Sequence, residues 1–261
     1  MTKEIKETLK EMASVAEYLW HKGWAERNAG NMSMVVTDRI RDTLNTSEGE
    51  FVQLKTAYPG LRDQYILLSG SGTRMRDLSR KAKKNTCLIY INTGGESYSL
   101  FRDKEGTAVP TSELPTHLSI HQELIRDGRK ERALVHAHVD ELIALTQIKE
   151  FTTEESINKL LWSMHPETML FIPEGAGFVP YILAGTDEIA NNTVEALKKH
   201  RVIIWEKHGC LAVGEDLFEA FDQIDLLAKS ANIYFMCRNA GHDPEGMTED
   251  QLTEIRKQIS G

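Results

Sequence analysis

The chain has 261 residues, of which 41% are hydrophobic and 27% are charged, a composition typical of a folded globular protein with one large domain. The formal net charge of −8 argues against a nucleic-acid partner and against an anionic membrane surface. No apolar run approaches the length of a membrane span or of a secretory signal. Three cysteines without a paired spacing favour a reducing, cytoplasmic location and are interpreted as packing residues. We expect a single domain, residues 1–261.

The first half of the chain predicts one helix followed mainly by short strands. Apolar residues at helical spacing predict a helix that ends near Gly23. A strand is expected at residues 32–36, and the polar segment 37–60 carries one short predicted strand at residues 51–54. Further strands are expected at residues 65–68, 87–91 and 96–101, and the last two form a hairpin across the turn at residues 93–95.

Helices dominate the second half. Short strands interleaved with helices, several of them joined by hairpins, predict a three-layer α/β/α or an α+β domain with a mixed or antiparallel sheet. Thr248 and Gln251 have the spacing of a capping box for a final short helix. Strands are expected at residues 132–138, 169–172, 202–205 and 210–213, and helices near residues 115–126, 140–148, 155–164, 186–200 and 217–239.

Two histidines end the predicted strand at residues 132–138. Because side chains alternate faces along a strand, His136 and His138 project from the same face, about 7 Å apart at the backbone. This arrangement allows two imidazole nitrogens to bind one metal ion. An isolated His-x-His is also compatible with two polar residues that merely close a strand.

A third histidine, His208, follows the buried strand at residues 202–205 and precedes Gly209. It could cap a carbonyl group at the strand end. Three histidines at strand ends, however, supply three nitrogen ligands and leave a fourth position open, as in a catalytic zinc site. Gly209 would allow the backbone or a substrate to approach closely. His117 and His121 are separated by one helical turn but lie on an apolar helical face, so they are interpreted as packing or surface residues.

Glu113 stands at the entry to the helix near residues 115–126. A carboxylate there commonly caps the helix or interacts with the helix dipole. The alternative is a general base beside the metal, with Val109 and Leu114 as apolar neighbours. Residue spacing does not decide between these roles.

Three turns are rich in hydrogen-bond donors: residues 28–31, 69–72 and 111–112. Glycine combined with Ser, Thr or Asn allows backbone N–H groups and side-chain donors to converge on a phosphate, although three ordinary turns would look the same. Met75 occupies the place of a third glycine after Gly70 and Gly72, so no dinucleotide fingerprint is present. Neither a P-loop nor a nucleophile elbow occurs.

Four motifs taken in order resemble the zinc-dependent class II aldolase/epimerase family. They are Val-Pro-Thr-Ser-Glu-Leu-Pro (109–115), His-Ala-His (136–138), Gly-Thr-Asp-Glu-Ile (185–189) and His-Gly (208–209). Within that family, residues 23–31 and the Leu161-Trp162 pair are similar to members that cleave L-rhamnulose 1-phosphate. The resemblance spans nearly the whole chain and is weakest at residues 37–60 and beyond Gly241.

The resemblance implies roles for individual residues. It implies one zinc ion per subunit, bound by His136, His138 and His208. It also implies that Glu113 is the catalytic acid/base and that Glu167 is a second carboxylate that reaches the site of a neighbouring subunit. The residues expected to contact the substrate and its phosphate are Asn28, Gly30, Asn31, Ser71, Gly72, Thr111 and Ser112.

The family fold is a three-layer α/β/α sandwich with a central mixed, largely antiparallel sheet, and the family assembly is a cyclic homotetramer with sites between subunits. The implied reaction is reversible, zinc-dependent retro-aldol cleavage of L-rhamnulose 1-phosphate into dihydroxyacetone phosphate and L-lactaldehyde. Cleavage of L-fuculose 1-phosphate and pentulose-phosphate 4-epimerisation are alternatives on the same scaffold, and a sugar-phosphate dehydratase is a more distant one. The histidine trio and Glu113 weigh against a non-catalytic module.

Overall fold

The computed structural model describes residues 3–40, 50–101 and 107–259. Their strands form a nine-stranded sheet in the order β2-β5-β4-β3-β1-β6-β9-β8-β7. Every neighbouring pair is antiparallel except β7 and β8, so the predicted mixed, largely antiparallel sheet is confirmed. The strands are β1 (Asn31–Val35), β2 (Glu50–Gln53), β3 (Tyr65–Ser69), β4 (Thr86–Ile91), β5 (Ser97–Phe101), β6 (Ala133–Ala137), β7 (Ala176–Val179), β8 (Val202–Trp205) and β9 (Gly209–Gly214).

Helices cover both faces of the sheet. Alternate residues of one strand enter different cores: Val135 joins the larger core, which includes α1 and α10, and Leu134 joins a second core with α5 and α9. The predicted three-layer α/β/α arrangement is thereby confirmed. The helices are α1 (Lys3–Lys22), α2 (Thr37–Ile40), α3 (Met75–Arg80), α4 (Ala82–Asn85), α5 (Leu114–Arg126), α6 (Asp140–Leu145), α7 (Glu154–Met164), α8 (Pro166–Phe171), α9 (Asp187–Leu197), α10 (Leu217–Asn239) and α11 (Glu249–Ile259).

The strand predicted at residues 169–172 is wrong, because residues 169–171 belong to α8 and Ile172 is its C-cap. Pro166 occupies the first turn, where its fixed φ angle and missing N–H favour a helix start. A short apolar run does not distinguish a buried strand from a buried helical turn. The strand of this region is β7 instead, which was not predicted from the sequence, and neither were α3 and α4.

Several local predictions are confirmed. Thr248 and Gln251 form the capping box: the Thr248 N–H donates to Gln251 Oε1 at 2.8 Å and the Gln251 N–H to Thr248 Oγ1 at 3.3 Å. The hairpin of β4 and β5 is present. In segment 37–60, α2 and β2 are described and residues 41–49 lie outside the described part of the chain. No described helix is both long and apolar enough to cross a bilayer.

The strand order brings distant segments to one end of the sheet. β6 lies between β1 and β9, and His136 pairs with Asn31 on one side and with Leu211 on the other. The end of β6 therefore meets the start of β1 and the start of β9. The candidate site is built there.

Candidate metal centre and active site

Three histidines converge at the end of β6. His136 lies in β6, His138 directly follows it, and His208 lies in the turn between β8 and β9. Their candidate ligand nitrogens all lie within 4.8 Å of one another. Ring centroids are 5.2 Å apart for His136 and His138, 5.1 Å for His136 and His208, and 5.0 Å for His138 and His208.

The turn that carries His208 has an unusual backbone. Lys207 adopts a φ of +60°, and its N–H donates to Thr146 Oγ1 at 2.8 Å. A Cβ on Gly209 would lie 2.4 Å from the carbonyl oxygen of Ala137. Only glycine fits there, so the close approach anticipated at Gly209 is made by the backbone at the end of β6. A left-handed non-glycine residue beside a candidate ligand is typical of a functional site.

Hydrogen bonds set the tautomers of two histidines. His136 Nδ1 lies 2.8 Å from the Cys210 carbonyl oxygen, and His138 Nδ1 lies 2.8 Å from Glu26 Oε1. Both oxygens accept, so each Nδ1 carries the proton and each Nε2 keeps its lone pair. His136 Nε2 is buried and has no hydrogen-bond partner among the described residues. These free nitrogens fit a metal ion.

The charge state also suits metal binding. Burial lowers the pKa of His136 to about 3, and the neighbouring His138 adds to this effect. Burial together with His136 and His138 lowers the pKa of His208 to about 4. Neutral imidazoles are the form that binds metals, so these two side chains are ready to act as ligands at neutral pH.

Trp205 and Glu26 support the cluster, although no sequence motif predicted a role for either. The Trp205 ring stacks on His208 with centroids 5.1 Å apart and lies 4.7 Å from His136, so it forms an apolar wall. Glu26 precedes its partner His138 by 112 residues. No local pattern signals a contact at that separation.

Replacing Glu26 with alanine is expected to weaken metal binding about 10- to 100-fold, because His138 loses the carboxylate that orients its ring. Competition with a chromogenic chelator measures the affinity. Glu17→Ala, which removes an exposed carboxylate from α1, is the matched control. Equal affinities in the two variants would contradict a role for Glu26.

Glu113 directly precedes α5 but makes no side-chain capping hydrogen bond. Its Oε1 lies 4.0 Å from His136 Nε2. Its Oε2 is buried without a hydrogen-bond partner in the described part of the chain. This geometry favours the general-base interpretation over the capping one, and the catalytic assignment itself stays a prediction.

Two of the three donor-rich turns lie side by side. The Ser71 N–H donates to the Val109 carbonyl at 2.8 Å, and Gly70 forms an isolated antiparallel β-bridge with Pro110. The turn of Ser71 and Gly72 therefore lies next to the turn of Thr111 and Ser112. Thr111 Oγ1 accepts from the Glu113 N–H at 3.3 Å, which links these turns to the carboxylate.

The third turn leads into β1 beside the histidines. Gly30 has a φ of +76°, and a Cβ there would lie 3.1 Å from the His136 carbonyl oxygen. Asn31 is buried opposite His136, whereas Asn28 is exposed. The predicted contacts at Gly30 and Asn31 therefore adjoin the metal cluster. Glu167 lies apart in α8, where its carboxylate pairs with His165 at 3.0 Å.

The interpretation of His117 and His121 as packing or surface residues is incomplete. Both are fully buried, with exposures of 0% and 1%, and both rings lie 2.7 Å from Ser33 Oγ. Their apolar helical face thus contains a polar network. The spacing of one helical turn between His117 and His121 was visible in the sequence. Their common partner on β1, Ser33, was not.

Stability should depend on pH through His121. Burial, with a contribution from Arg132, lowers the pKa of His121 to about 3, whereas the unfolded value is about 6.5. Between these values the unfolded state binds more protons, so the free energy of unfolding falls by about 1.4 kcal/mol per pH unit as pH decreases. We expect His121→Gln to show a shallower dependence in urea unfolding between about pH 6 and pH 4. Parallel curves for variant and parent would contradict a neutral buried His121.

A family profile described as the class II aldolase and adducin N-terminal domain matches residues 10–235. The chain belongs to this family. A rhamnulose-1-phosphate aldolase of Bacteroides thetaiotaomicron is 42% identical over 246 residues, which cover 94% of this chain and 91% of the relative. A protein of the same name from Klebsiella pneumoniae is 31% identical over 245 residues, with coverages of 92% and 88%.

Solved structures agree with this assignment. A sugar-phosphate aldolase of Thermotoga maritima superposes with a TM-score of 0.80 at 31% identity, covering 93% of this chain and 99% of its own. An L-fuculose 1-phosphate aldolase has a TM-score of 0.64 at 18% identity, with coverages of 98% and 97%, and supports the shared fold alone. The family resemblance, the fold class and the interpretation of the chain as a class II aldolase are confirmed.

Proposed function

We propose that this protein is a zinc-dependent aldolase that reversibly cleaves L-rhamnulose 1-phosphate into dihydroxyacetone phosphate and L-lactaldehyde. The observation that carries the proposal is the cluster of His136, His138 and His208 beside the buried carboxylate of Glu113. The 42% identity to a rhamnulose-1-phosphate aldolase over 94% of the chain supports this choice of substrate.

The three histidines would hold the metal ion. Three imidazole ligands with an open fourth position are typical of catalytic zinc. When bound, zinc supplies Lewis-acid stabilisation of the negative charge that develops on the oxygens of the substrate. The chain contributes neutral ligands, two of them fixed in orientation by the Cys210 carbonyl and Glu26, and the apolar wall of Trp205.

Glu113 moves the proton of the reaction. In cleavage the C4 hydroxyl gives up its proton to water as the C3–C4 bond breaks and L-lactaldehyde leaves. Glu113 delivers one proton to C3 of the remaining enediolate to form dihydroxyacetone phosphate, so the reaction neither gains nor loses a proton overall. In synthesis the carboxylate removes the same proton. The unpartnered Oε2 of Glu113 leaves the carboxyl group free for this exchange.

The donor-rich turns would bind the phosphate. Ser71, Gly72, Thr111 and Ser112 lie in two adjacent turns that offer hydroxyl and backbone N–H donors. Such donors bind an anion without a lysine. Local donors are needed because the net charge of −8 does not attract an anionic substrate. Asn28, Gly30 and Asn31 extend the site along the start of β1.

We further propose a cytoplasmic, single-domain homotetramer in which Glu167 reaches the site of a neighbouring subunit. In the described part of the chain, Glu167 does not belong to the histidine cluster, and its carboxylate pairs with nearby His165. Large apolar side chains are exposed in α8 and in the segment after β7, namely Phe171 at 60%, Tyr181 at 63% and Leu183 at 66%. Such exposure is typical of a surface that is covered on assembly. Light scattering would measure the mass of the particle.

The deciding assay compares cleavage of L-rhamnulose 1-phosphate and L-fuculose 1-phosphate by the release of dihydroxyacetone phosphate, with and without a chelator. We expect faster cleavage of the rhamnulose compound and loss of activity with the chelator. Faster cleavage of the fuculose compound would support the proposed mechanism but identify L-fuculose 1-phosphate as the substrate. No release from either compound by zinc-loaded protein would contradict the aldolase proposal and favour an epimerase or a dehydratase.

A further inference from the structure

A buried chain of hydrogen bonds connects α5 to the candidate site. His117 Nε2 lies 2.6 Å from Asn31 Oδ1, and His117 Nδ1 lies 2.7 Å from Ser33 Oγ. His121 Nε2 lies 2.7 Å from the same hydroxyl. Ser33, His117 and His121 are all at most 1% exposed, so water does not compete for these contacts.

With Asn31 Oδ1 toward His117, the direction of every hydrogen bond in the network follows. An amide oxygen only accepts, so His117 Nε2 donates to Asn31 Oδ1 and His117 Nδ1 accepts from the Ser33 hydroxyl. The Ser33 oxygen in turn accepts from His121 Nε2. Each proton is used once, and only the lone pair of His121 Nδ1 lacks a partner among the described residues.

The reverse direction is less favourable. If Asn31 turned its NH₂ group toward His117, every bond would reverse and a proton would remain on His121 Nδ1. That N–H would be buried without an acceptor, and orphaned buried N–H groups are rarer than unused acceptors. The network therefore fixes which end of the Asn31 amide faces inward.

Asn31 lies on the same face of the sheet as the metal cluster. Asn31 pairs with His136 across the β1–β6 ladder, so the two side chains share a face of the sheet. With Oδ1 held by His117, the NH₂ group is the end available to a ligand. An anionic oxygen requires a donor, so the fixed orientation suits a phosphate.

We propose that His117 is a positioning residue, which holds the Asn31 amide so that its NH₂ group is presented to the substrate phosphate, with Ser33 and His121 fixing the His117 tautomer. This inference rests on the proposed aldolase function. It assigns a role in substrate binding to a histidine that does not itself touch the substrate.

The test separates this role from one in which the network only holds α5 against the sheet. Loss of a phosphate contact that is made equally in the ground state and the transition state raises KM and leaves kcat unchanged. A loosened α5 lowers the fraction of active enzyme and therefore lowers kcat. KM and kcat for L-rhamnulose 1-phosphate are measured together with the dissociation constant of dihydroxyacetone phosphate.

We expect His117→Leu to raise KM and the dissociation constant about 10- to 100-fold, with kcat within about threefold of the parent. His117→Gln, whose Nε2 reaches as far as that of histidine, should restore most of the affinity. Ser119→Ala is the matched control, because Ser119 is a half-buried polar residue two positions after His117 in α5 and the change leaves Asn31 untouched. In an Asn31→Ala background, His117→Leu should add less than about threefold.

The proposal would be overturned if KM in the double variant rose by the product of the increases caused by Asn31→Ala and His117→Leu separately. It would also be overturned if folded His117→Leu had the KM and the affinity of the parent. Failure of His117→Gln to restore affinity, when that variant unfolds at the parent temperature, would also overturn it. If the parent enzyme cleaves L-rhamnulose 1-phosphate in these cases, the proposed function stands and only the role of His117 fails. If the parent neither cleaves this sugar nor binds dihydroxyacetone phosphate, both fail together.

Discussion

Replacing Glu113 with glutamine is expected to lower kcat for cleavage about 10²- to 10⁴-fold, the usual contribution of a positioned acid or base. Glutamine keeps the size of the side chain but cannot exchange a proton with the enediolate carbon. The three histidines remain, so the metal content should be unchanged. Release of dihydroxyacetone phosphate measures kcat, and the incorporation of solvent deuterium into added dihydroxyacetone phosphate measures the proton step alone.

Both readouts should fall together. Glu188→Gln removes a carboxylate from the first turn of α9 and controls for loss of charge at a helix N-terminus. Deuterium incorporation at the parent rate by Glu113→Gln, with cleavage abolished, would contradict Glu113 as the acid/base. Loss of metal from Glu113→Gln would show that the carboxylate acts on the metal centre instead.

Replacing His208 with alanine is expected to reduce bound metal from one ion per chain to near none. Only two of the three histidine ligands remain, and the turn between β8 and β9 loses the His208 ring that stacks on Trp205. Cleavage should fall by roughly 10³-fold or more, because a Lewis acid contributes several kcal/mol and each 1.4 kcal/mol is about tenfold in rate. Elemental analysis of the purified variant measures the metal.

His242→Ala is the matched control, because His242 is exposed and lies beyond α10. Circular dichroism establishes that both variants remain folded. Stoichiometric metal in His208→Ala, with affinity equal to that of the parent, would contradict the assignment of the third ligand. The same variant tests the metal centre independently of the sugar, since the metal is measured without substrate.

The sequence by itself determined the parts of the site that depend on local geometry. Strand alternation placed His136 and His138 on one face, and the glycine after His208 marked a close backbone approach, which the structure contains at Ala137. Motif order was sufficient for the family. These features depend on neighbouring residues, whose relative positions are set by strand or turn geometry.

Only the tertiary structure decided which distant groups meet. The position of β6 between β1 and β9 joins His208 to His136 and joins Asn31 to the same cluster. Glu26 reaches His138 across 112 residues, and His117 reaches Asn31 across 86. Residue periodicity indicates which face of an element is buried, but it carries no information on the partner across the sheet.

The sequence left two local predictions ambiguous, the role of Glu113 and the conformation of residues 169–172, for the same physical reason. Glu113 has the local sequence of a helix cap, and its role depends on the 4.0 Å approach to His136, which lies on another element. In the apolar run at residues 169–172 only Met169 and Ile172 are buried, and Pro166 together with packing against α10 and α11 selects the helix. Local sequence limits each of these choices to two, and the contacts made in the folded chain decide between them.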